Sequence, residues 1–362
     1  MRSLHLYLIL FLCLVSCSSR DKIVGEISLV SVEEQSDIPS CVDTVVRICL
    51  QTPDNIILNN LKSVVMGGGM IVASDMSNNV YGFNSAGEYV CQYGGYGESG
   101  EEYINMSAFT VTDSNQVVIC DSYSQKILFF DLRGNFLKVA NFKPGSLDMV
   151  QQCVSVNDST MIVGRYIYND RDSIYAKVDL IKGETRNFAA VPMHTANIAI
   201  PVGQHSISVY DNNISYIKPL DPVVYRYVDT CWIDIDNGQK IWPDKKLKEI
   251  IDFNPVTYAD AMNENVFLGY SDIYELDRYI FLGMSDLNYA LIDKTDWTMR
   301  SYRYHKDDKF NFVGLNRIIG YGSNNILIGY NTNPLVDSND IFIYTLKNKG
   351  ANNNGFTSVG KN

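Results

Sequence analysis

The chain has 362 residues and a formal net charge of −11, because 41 acidic side chains outnumber 30 lysines and arginines. Binding to nucleic acid depends on a basic surface that neutralises phosphates, so the composition argues against a nucleic-acid partner. The length is large for one ordinary core but suits a closed repeat architecture, and we expect one such domain.

The N-terminus is typical of an exported protein. Arg2 precedes an apolar run from Leu4 to Val15, and small and charged residues follow this run. A membrane span takes about 20 apolar residues, so the run is too short to cross a bilayer. The layout instead predicts a secretory signal peptide over residues 1–16.

The end of this run resembles the lipobox of bacterial lipoproteins, with the sequence Leu14-Val15-Ser16-Cys17. In a lipobox, a peptidase cuts before the cysteine and the new N-terminus carries acyl chains, which together anchor a protein stably. The resemblance implies lipid attachment at Cys17 and a membrane as partner. An aspartate directly after the cysteine would retain the protein at the inner membrane. Ser18 stands there instead, so the sequence favours the outer membrane of the cell envelope, on either its periplasmic or its surface face. An ordinary signal peptide with a chance cysteine is the alternative.

A mostly polar stretch follows the lipobox. Residues 17–40 include the acidic run Glu33-Glu34 and nearby Asp37. Such a stretch buries little apolar surface, so it predicts a lipidated cysteine followed by a polar spacer. The apolar piece from Ile27 to Val32 could still pack on the domain.

Two similar segments then follow each other, from Met70 to Val90 and from Val117 to Leu137. Each reads as a strand ending in aspartate, a polar loop, a second strand, a tight turn and a third strand. The glycines that close the two turns lie 47 residues apart in the sequence. A period of about 40–50 residues is typical of propeller blades.

The turns in both segments have the residues of a type I turn. Asn84 and Asp131 stand at the first position, and Gly87 and Gly134 stand at the fourth. These residue types favour a type I turn, and the flanking strands are rich in valine, isoleucine and aromatic residues without proline. Both segments therefore predict hairpins.

Weaker copies extend the series along the chain, with strands that begin at Met161, Ile207, Tyr279 and Ile326. The sequence thus predicts an all-β fold, a six-bladed β-propeller of four-stranded blades over residues 41–348. A strand at Thr44–Leu50 would complete the last blade and close the ring, which protects the strand edges. Residues 349–362 are expected to form a flexible C-terminal tail.

The segment Gly94-Gly95-Tyr96-Gly97-Glu98-Ser99-Gly100-Glu101-Glu102-Tyr103 resembles part of a known family. It is similar to a G-x-x-G-x-G-P-G-E-Y segment in the six-bladed, NHL-like β-propeller lipoproteins of Bacteroides and its relatives. Ser99, Gly100 and Glu101 depart from the usual Gly, Pro and Gly. The resemblance covers most of the mature chain and implies an exported propeller, but it implies no catalytic residue.

We interpret this glycine-rich segment as a crossing between blades, since glycines permit unusual backbone dihedrals. Tyr96, Glu98 and Tyr103 are its candidate ligand-binding residues. The aspartates that end the strands of the repeat, Asp75 and Asp121, are expected to accept backbone N–H bonds from the following loop, with metal binding as the alternative.

Cysteine and histidine give little sign of a cofactor. Six cysteines remain after the lipobox, and we expect buried free thiols, with a Cys41–Cys49 disulfide as the alternative. The sequence has no C-x-x-C pair, and its three remaining histidines follow no repeat spacing. We therefore predict no metal site and no cofactor.

The residues suggest no grouping for nucleophilic catalysis, so no catalytic residue is assigned. The leading hypothesis is a non-enzymatic envelope lipoprotein whose propeller binds a protein, peptide or glycan. The alternative is a hydrolase or lyase of the lactonase kind, with a metal in the central channel of the propeller.

Overall fold

The computed structural model describes residues 23–33, 39–165, 173–190, 205–218, 221–226, 232–236, 260, 263–264, 266, 269–284, 288–303, 305–306, 312–313, 317–323, 325–330 and 339–348. The predicted signal peptide, Cys17 and the predicted tail at residues 349–362 lie outside these residues. None of the described residues belongs to a helix with the length and apolar character needed to span a bilayer.

The described part of the chain is all β, as the sequence predicts, and most of its strands form units of four neighbours. Unit 1 contains β3 (Leu61–Gly67), β4 (Met70–Asp75), β5 (Val80–Asn84) and β6 (Tyr89–Gln92). Unit 2 contains β7 (Met106–Val111), β8 (Gln116–Asp121), β9 (Lys126–Asp131) and β10 (Phe136–Asn141). Unit 3 contains β11 (Val150–Asn157), β12 (Thr160–Arg165), β13 (Ser173–Asp179) and β14 (Glu184–Ala190).

The second half of the chain repeats this organisation. Unit 4 contains β15 (Ile207–Tyr210), β16 (Asn213–Ile217), β17 (Val223–Arg226) and β18 (Trp232–Asp236). Unit 5 contains β19 (Tyr270–Glu275), β20 (Tyr279–Met284), β21 (Asn288–Asp293) and β22 (Thr298–Arg303). A two-stranded hairpin follows, β23 (His305–Lys306) and β24 (Phe312–Val313). Unit 6 contains β25 (Arg317–Gly322), β26 (Ile326–Tyr330) and β27 (Asp340–Leu346), with β2 (Val42–Cys49) as its fourth strand.

Neighbouring units pack face to face, and the alternation of side chains along each strand explains how. In β8, Val117 and Ile119 pack with Val72 of unit 1, whereas Val118 packs with Met161 of unit 3. Successive side chains of a strand point to opposite faces of its sheet. Because both faces of unit 2 are covered, the four middle positions of each of its central strands are apolar instead of alternating with polar residues.

The predicted hairpin turns are confirmed. The N–H of Gly87 donates to the carbonyl of Asn84 at 3.0 Å, and that of Gly134 donates to the carbonyl of Asp131 at 3.1 Å. The two glycines have φ angles of 86° and 87°. A left-handed residue after a type I turn is a common way to close a hairpin, and glycine adopts it without steric cost.

Units 6 and 1 come into close contact through their first strands. β25 pairs in parallel with β3, with Gly320 opposite Val64. A Cβ atom at Gly320 would lie 1.9 Å from the carbonyl oxygen of Val64, so only glycine fits there. On the outer side of unit 6, β2 pairs in antiparallel fashion with β27. The chain therefore joins its N-terminal and C-terminal parts in one sheet.

The stretch expected to be a polar spacer contains an 11-residue strand, β1 (Ile23–Glu33). The first half of β1 pairs in parallel with β18 of unit 4, and its second half pairs in parallel with β22 of unit 5. β1 includes the apolar piece from Ile27 to Val32 that was expected to be able to pack on the domain, so a spacer does not extend over all of residues 17–40.

All five cysteines that the structure describes are free thiols, but only Cys120 and Cys153 are buried, whereas Cys41 and Cys91 are half-buried and Cys49 is exposed. The Cys41–Cys49 disulfide considered above is therefore not formed. Cys231 lies outside the described residues.

Candidate functional site

The connections between strands divide each unit into two ends. The turns between the first and second strands and between the third and fourth strands form one end, which we call the turn end. The loops between the second and third strands, together with the connections from one unit to the next, form the other, which we call the loop end. Units 1 and 2 have the same orientation, since Gly68 and Asn115, from the first turn of each unit, lie side by side.

The loop end of units 1 and 2 is stiffened by two buried aspartates, as the repeat predicts. Asp75 accepts the backbone N–H of Asn79 at 2.9 Å and that of Asn59 at 3.2 Å. Asp121 accepts four backbone N–H groups at 2.9–3.3 Å, from Ile104, Asn105, Tyr123 and Ser124. Each carboxylate joins the loop that follows it to the connection that precedes its unit.

Unit 3 makes the equivalent connection with a positively charged side chain instead of a carboxylate. Arg165 stands at the end of β12, where units 1 and 2 have an aspartate. Its guanidinium donates to the carbonyl of Ser146, in the connection before unit 3, and to the Oδ1 atom of Asn187. A buried charged group thus fixes the loop end in all three units.

The three candidate ligand-binding residues of the glycine-rich segment occupy different environments. Tyr96 and Glu98 are exposed on the loop end, and Tyr103 is only 2 % exposed and packs in the core between units 1 and 2. Tyr103 therefore supports the segment from beneath. Ligand contact by Tyr96 and Glu98 stays a prediction.

The glycine-rich segment keeps a defined shape despite its departure from the family pattern. Tyr96 and Tyr103 form a β-bridge across it, and the carboxylate of Glu102 accepts the N–H of Ser99 at 3.0 Å. Lys126 of unit 2 donates to the Ser99 carbonyl at 3.1 Å. The segment thus presents Tyr96 on a supported backbone.

Large apolar side chains are exposed along the loop end of units 1 to 3. They are Ile57 (83 % exposed), Met76 (58 %), Tyr96 (81 %), Tyr123 (73 %) and Met149 (44 %). We call these five side chains the apolar loop surface. Other large apolar side chains are exposed at the turn ends and on the outer strands β2, β6 and β10, namely Ile181, Trp297, Val45, Val46, Val90, Leu137 and Val139. Exposed apolar groups that gather on one end of a protein mark an interaction site.

Hydrogen bonds between loops bring two pairs of these side chains close together, Ile57 with Met76 and Tyr123 with Met149. The N–H of Met76 donates to the Asn59 carbonyl at 2.9 Å, close to Ile57 in sequence. Gln125, two residues after Tyr123, donates to Asp148, which precedes Met149, at 2.8 Å. The sequence analysis missed Met76 and Tyr123 because it classed the loops after the repeat aspartates as polar.

A small cavity lies where the first strands of units 1, 2, 3 and 6 approach each other. Its volume is about 30 Å³, which is room for one or two water molecules. Polar side chains of its wall include Lys62, Ser63, Gln152, His205 and Tyr321. The side-chain amide of Gln152 donates to the carbonyl of Ile207 at 2.8 Å and accepts from the N–H of Ile207 at 3.1 Å.

His205 is the titratable group of most interest in this cavity. Its Nε2 atom lies 3.4 Å from the Oγ atom of Ser63. Burial lowers the pKa of His205, and the nearby carboxylate of Asp272 and a hydrogen bond to the backbone of Ile319 oppose this effect. The cavity thus combines an imidazole that is neutral at pH 7 with a hydroxyl group and space for water.

The described residues contain no group of three or more His, Cys, Asp or Glu side chains placed to hold a metal ion. Asp75 and Asp121, considered above as alternative metal ligands, bind backbone N–H groups instead. His194 lies outside the described residues.

The fold is similar to those of solved bacterial proteins. One is a protein from Bacteroides fragilis NCTC 9343 described as exported (TM-score 0.66, 16 % identity, covering 90 % of this chain and 100 % of that one). Another is a member of the DUF4221 family from Bacteroides vulgatus ATCC 8482 (TM-score 0.54, 12 % identity, 87 % and 99 %). A third is virginiamycin B lyase from Staphylococcus aureus (TM-score 0.47, 9 % identity, 84 % and 98 %), a similarity too weak to bear on activity.

These similarities concern the fold alone, because a shared fold does not determine a function. No functionally curated protein has significant sequence similarity to the chain. A family model does match the sequence, and it covers residues 25–352, from the third residue of β1 to beyond the end of β27. The chain is a β-propeller protein that belongs to the family described as "Domain of unknown function (DUF4934)".

Proposed function

We propose that the protein is an exported lipoprotein, a closed six-bladed propeller that binds a protein partner through its apolar loop surface. The observation that carries this proposal is the row of five exposed apolar side chains on a loop end fixed by buried charged groups. A rigid surface loses little conformational entropy when it binds, which favours affinity.

The strand pairing supports a closed ring of six blades. Units 1 to 6 each have four strands, and Tyr274 of unit 5 contacts Tyr321 of unit 6 at a ring distance of 5.6 Å. Unit 6 in turn pairs with unit 1 between Gly320 and Val64. In unit 6, an N-terminal strand completes a sheet of C-terminal strands, which is the arrangement expected if closure protects the strand edges.

Export is supported by the N-terminal sequence and by one structural relative, whereas lipid attachment is supported by the N-terminal sequence. The lipobox resemblance assigns the lipid to Cys17, and the similar Bacteroides fragilis protein is described as exported. Because β1 begins at Ile23, few residues separate this cysteine from the edge of unit 4. The propeller would then be held close to the outer membrane.

The composition of the apolar loop surface favours a protein or peptide over a glycan. Sugars stack on aromatic rings, which Tyr96 and Tyr123 provide, but aliphatic side chains offer them no such face. Tyrosine and methionine are both enriched in protein interfaces, and methionine adapts to the shape of a partner. Met76, Met149 and Ile57 therefore point to an apolar protein surface.

Membrane fractionation and palmitate labelling test the anchor. Cys17→Ala should move the protein from the membrane fraction to the soluble fraction and abolish labelling. Labelling that persists in this variant would contradict lipid attachment at Cys17.

Quantitative affinity purification of the anchored protein after cross-linking in cells tests the binding surface. The triple variant Ile57→Ser, Met76→Ser, Tyr123→Ser should lose a protein that the wild type recovers. A matched control is Ile181→Ser with Leu137→Ser, two exposed apolar residues away from the loop end of units 1 to 3. Equal recovery by the triple variant, or loss only in the control, would refute the proposed surface.

A further inference from the structure

A cleft at the turn end of units 5 and 6 has the features of a second ligand site. Its volume is about 140 Å³. Its wall includes Arg278, from the turn before β20, Arg300, from β22, and Lys347, from the end of β27. Cys41 completes this wall at the entrance to β2, so the cleft brings together parts of the chain from both termini.

The cleft is strongly basic although the protein as a whole is acidic. Asp293 is the carboxylate in its wall, and it binds the Nε atom of Arg278 at 3.0–3.1 Å and the Nη2 atom at 2.5 Å. No salt bridge joins Arg300 or Lys347 to a described residue. Among the wall residues, three cations and one carboxylate leave two positive charges in excess, and the carboxylate of Asp296 acts on Arg278 from outside the wall.

Arg278 is held in a fixed position in this wall. Besides its pairing with Asp293, its backbone N–H donates to the Oδ1 atom of Asn325 at 3.0 Å, and its guanidinium lies 5.0 Å from the ring centre of Tyr279. Its side chain is 25 % exposed, so part of the guanidinium stays accessible. A planar guanidinium placed in this way can donate to an oxyanion in a defined direction.

The remaining walls suit an organic group and do not compete for the cations. Tyr279, Leu291 and Tyr302 line the wall next to the basic side chains, and because each is at most 4 % exposed they offer a small apolar area. Burial raises the pKa of the Cys41 thiol to about 11, even with Arg300 and Lys347 nearby. The thiol is therefore neutral at pH 7 and leaves the positive charges unmatched.

We propose that this cleft binds a phosphate monoester, with the phosphate group against Arg278, Arg300 and Lys347 and the organic group against Tyr279 and Leu291. A phosphate monoester carries about −1.5 to −2 charges at pH 7, which matches the excess positive charge, whereas a carboxylate supplies only half of it. The proposal rests on contacts of units 5 and 6 and is independent of the apolar loop surface.

Calorimetric titration of the full chain at low ionic strength tests this site. The probes are glucose 6-phosphate and dihexanoyl phosphatidic acid, which present a soluble and a lipid source of the same group, with glucose and dihexanoyl phosphatidylcholine as controls. We expect one equivalent of at least one phosphate monoester to bind, and the preferred probe identifies the source. Absence of binding by both monoesters, or equal binding of a control, would overturn the proposal.

Two double variants then locate the site. Arg300→Gln with Lys347→Gln should weaken binding by about tenfold or more, since a hydrogen bond to a charged group contributes roughly 1.5–3 kcal/mol. Arg133→Gln with Lys143→Gln removes the same charge from exposed positions in and after unit 2 and should leave binding unchanged. Equal weakening by both variants would overturn the assignment. Circular dichroism verifies folding, and Arg300→Gln alone replaces the first variant if that one unfolds.

Discussion

Replacing the buried carboxylate of Glu275 should destabilise the protein strongly. Glu275 ends β19, and its side chain is 2 % exposed. One carboxylate oxygen binds Arg226 at 2.6 Å and Lys294 at 3.1 Å, and the other accepts from Ser215. These contacts join units 4 and 5 around one negative charge.

The size of the effect follows from the burial of the two cations. The side chains of Arg226 and Lys294 are only 17 % and 14 % exposed, so Glu275→Gln leaves both near each other with no counter-charge. Breaking a buried ion pair in this way costs about 3–5 kcal/mol. A urea dependence of roughly 3 kcal/mol/M is the upper end for small proteins and rises with size, so the unfolding midpoint should fall by up to about 1–1.7 M.

Urea unfolding followed by tryptophan fluorescence measures this shift. Lys182→Gln is the matched control, because it breaks an exposed ion pair with Asp179 at 3.9 Å and should leave the midpoint unchanged. Adding Arg226→Met and Lys294→Met to Glu275→Gln should restore part of the lost stability, since the cations then no longer need a partner. A midpoint for Glu275→Gln equal to that of the control would refute this account of the contact between units 4 and 5.

Three further predictions concern the cavity, the ring and the repeat. Burial lowers the pKa of His205 from 6.5 in the folded protein, so the unfolded chain binds more protons and stability should fall as the pH drops below about 6.5. His205→Gln should reduce this pH dependence, measured by urea unfolding at pH 7 and pH 5. An unchanged pH dependence in the variant would contradict the prediction. Gly320→Ala should abolish or severely impair folding because its Cβ atom meets the backbone of Val64, whereas Gly100→Ala, with open space around it, should not; equal thermal midpoints would argue against close contact of units 6 and 1. Asp121→Ala should lower the free energy of unfolding by about 3 kcal/mol or more, because it leaves several backbone N–H groups without an acceptor. A decrease below about 1 kcal/mol would mean that water replaces the carboxylate.

The parts of the fold that the sequence predicts are those determined by nearby residues. The turn from Asn84 to Gly87 needs a side-chain acceptor at its first position and glycine at its last, and both lie within four residues. Asp75 and Asp121 bind loops adjacent to their own strands, so their repeat spacing revealed their role. Such interactions leave a local pattern in one sequence.

The parts that the sequence did not predict depend on distant residues. β1 pairs with β18 and β22, more than 190 residues away, through backbone groups that any residue type supplies, so its apolar residues indicated packing but not which strands they would join. The basic cleft likewise combines Cys41 with Lys347. Met76 and Tyr123 could have been predicted to be exposed, because each lies in a loop that follows a repeat aspartate, where an apolar side chain is not expected to reach the core.

The most direct test of the proposed function is site-specific photo-cross-linking in living cells. A photoreactive phenylalanine at Tyr123 lies in the apolar loop surface, and one at Ile181, which is 82 % exposed at a turn end, is the control. The account predicts a discrete cross-linked protein from position 123 that disappears when Met76→Ser is added, and no such product from position 181. The same product from both positions, or a product from position 181 alone, would contradict binding through the apolar loop surface.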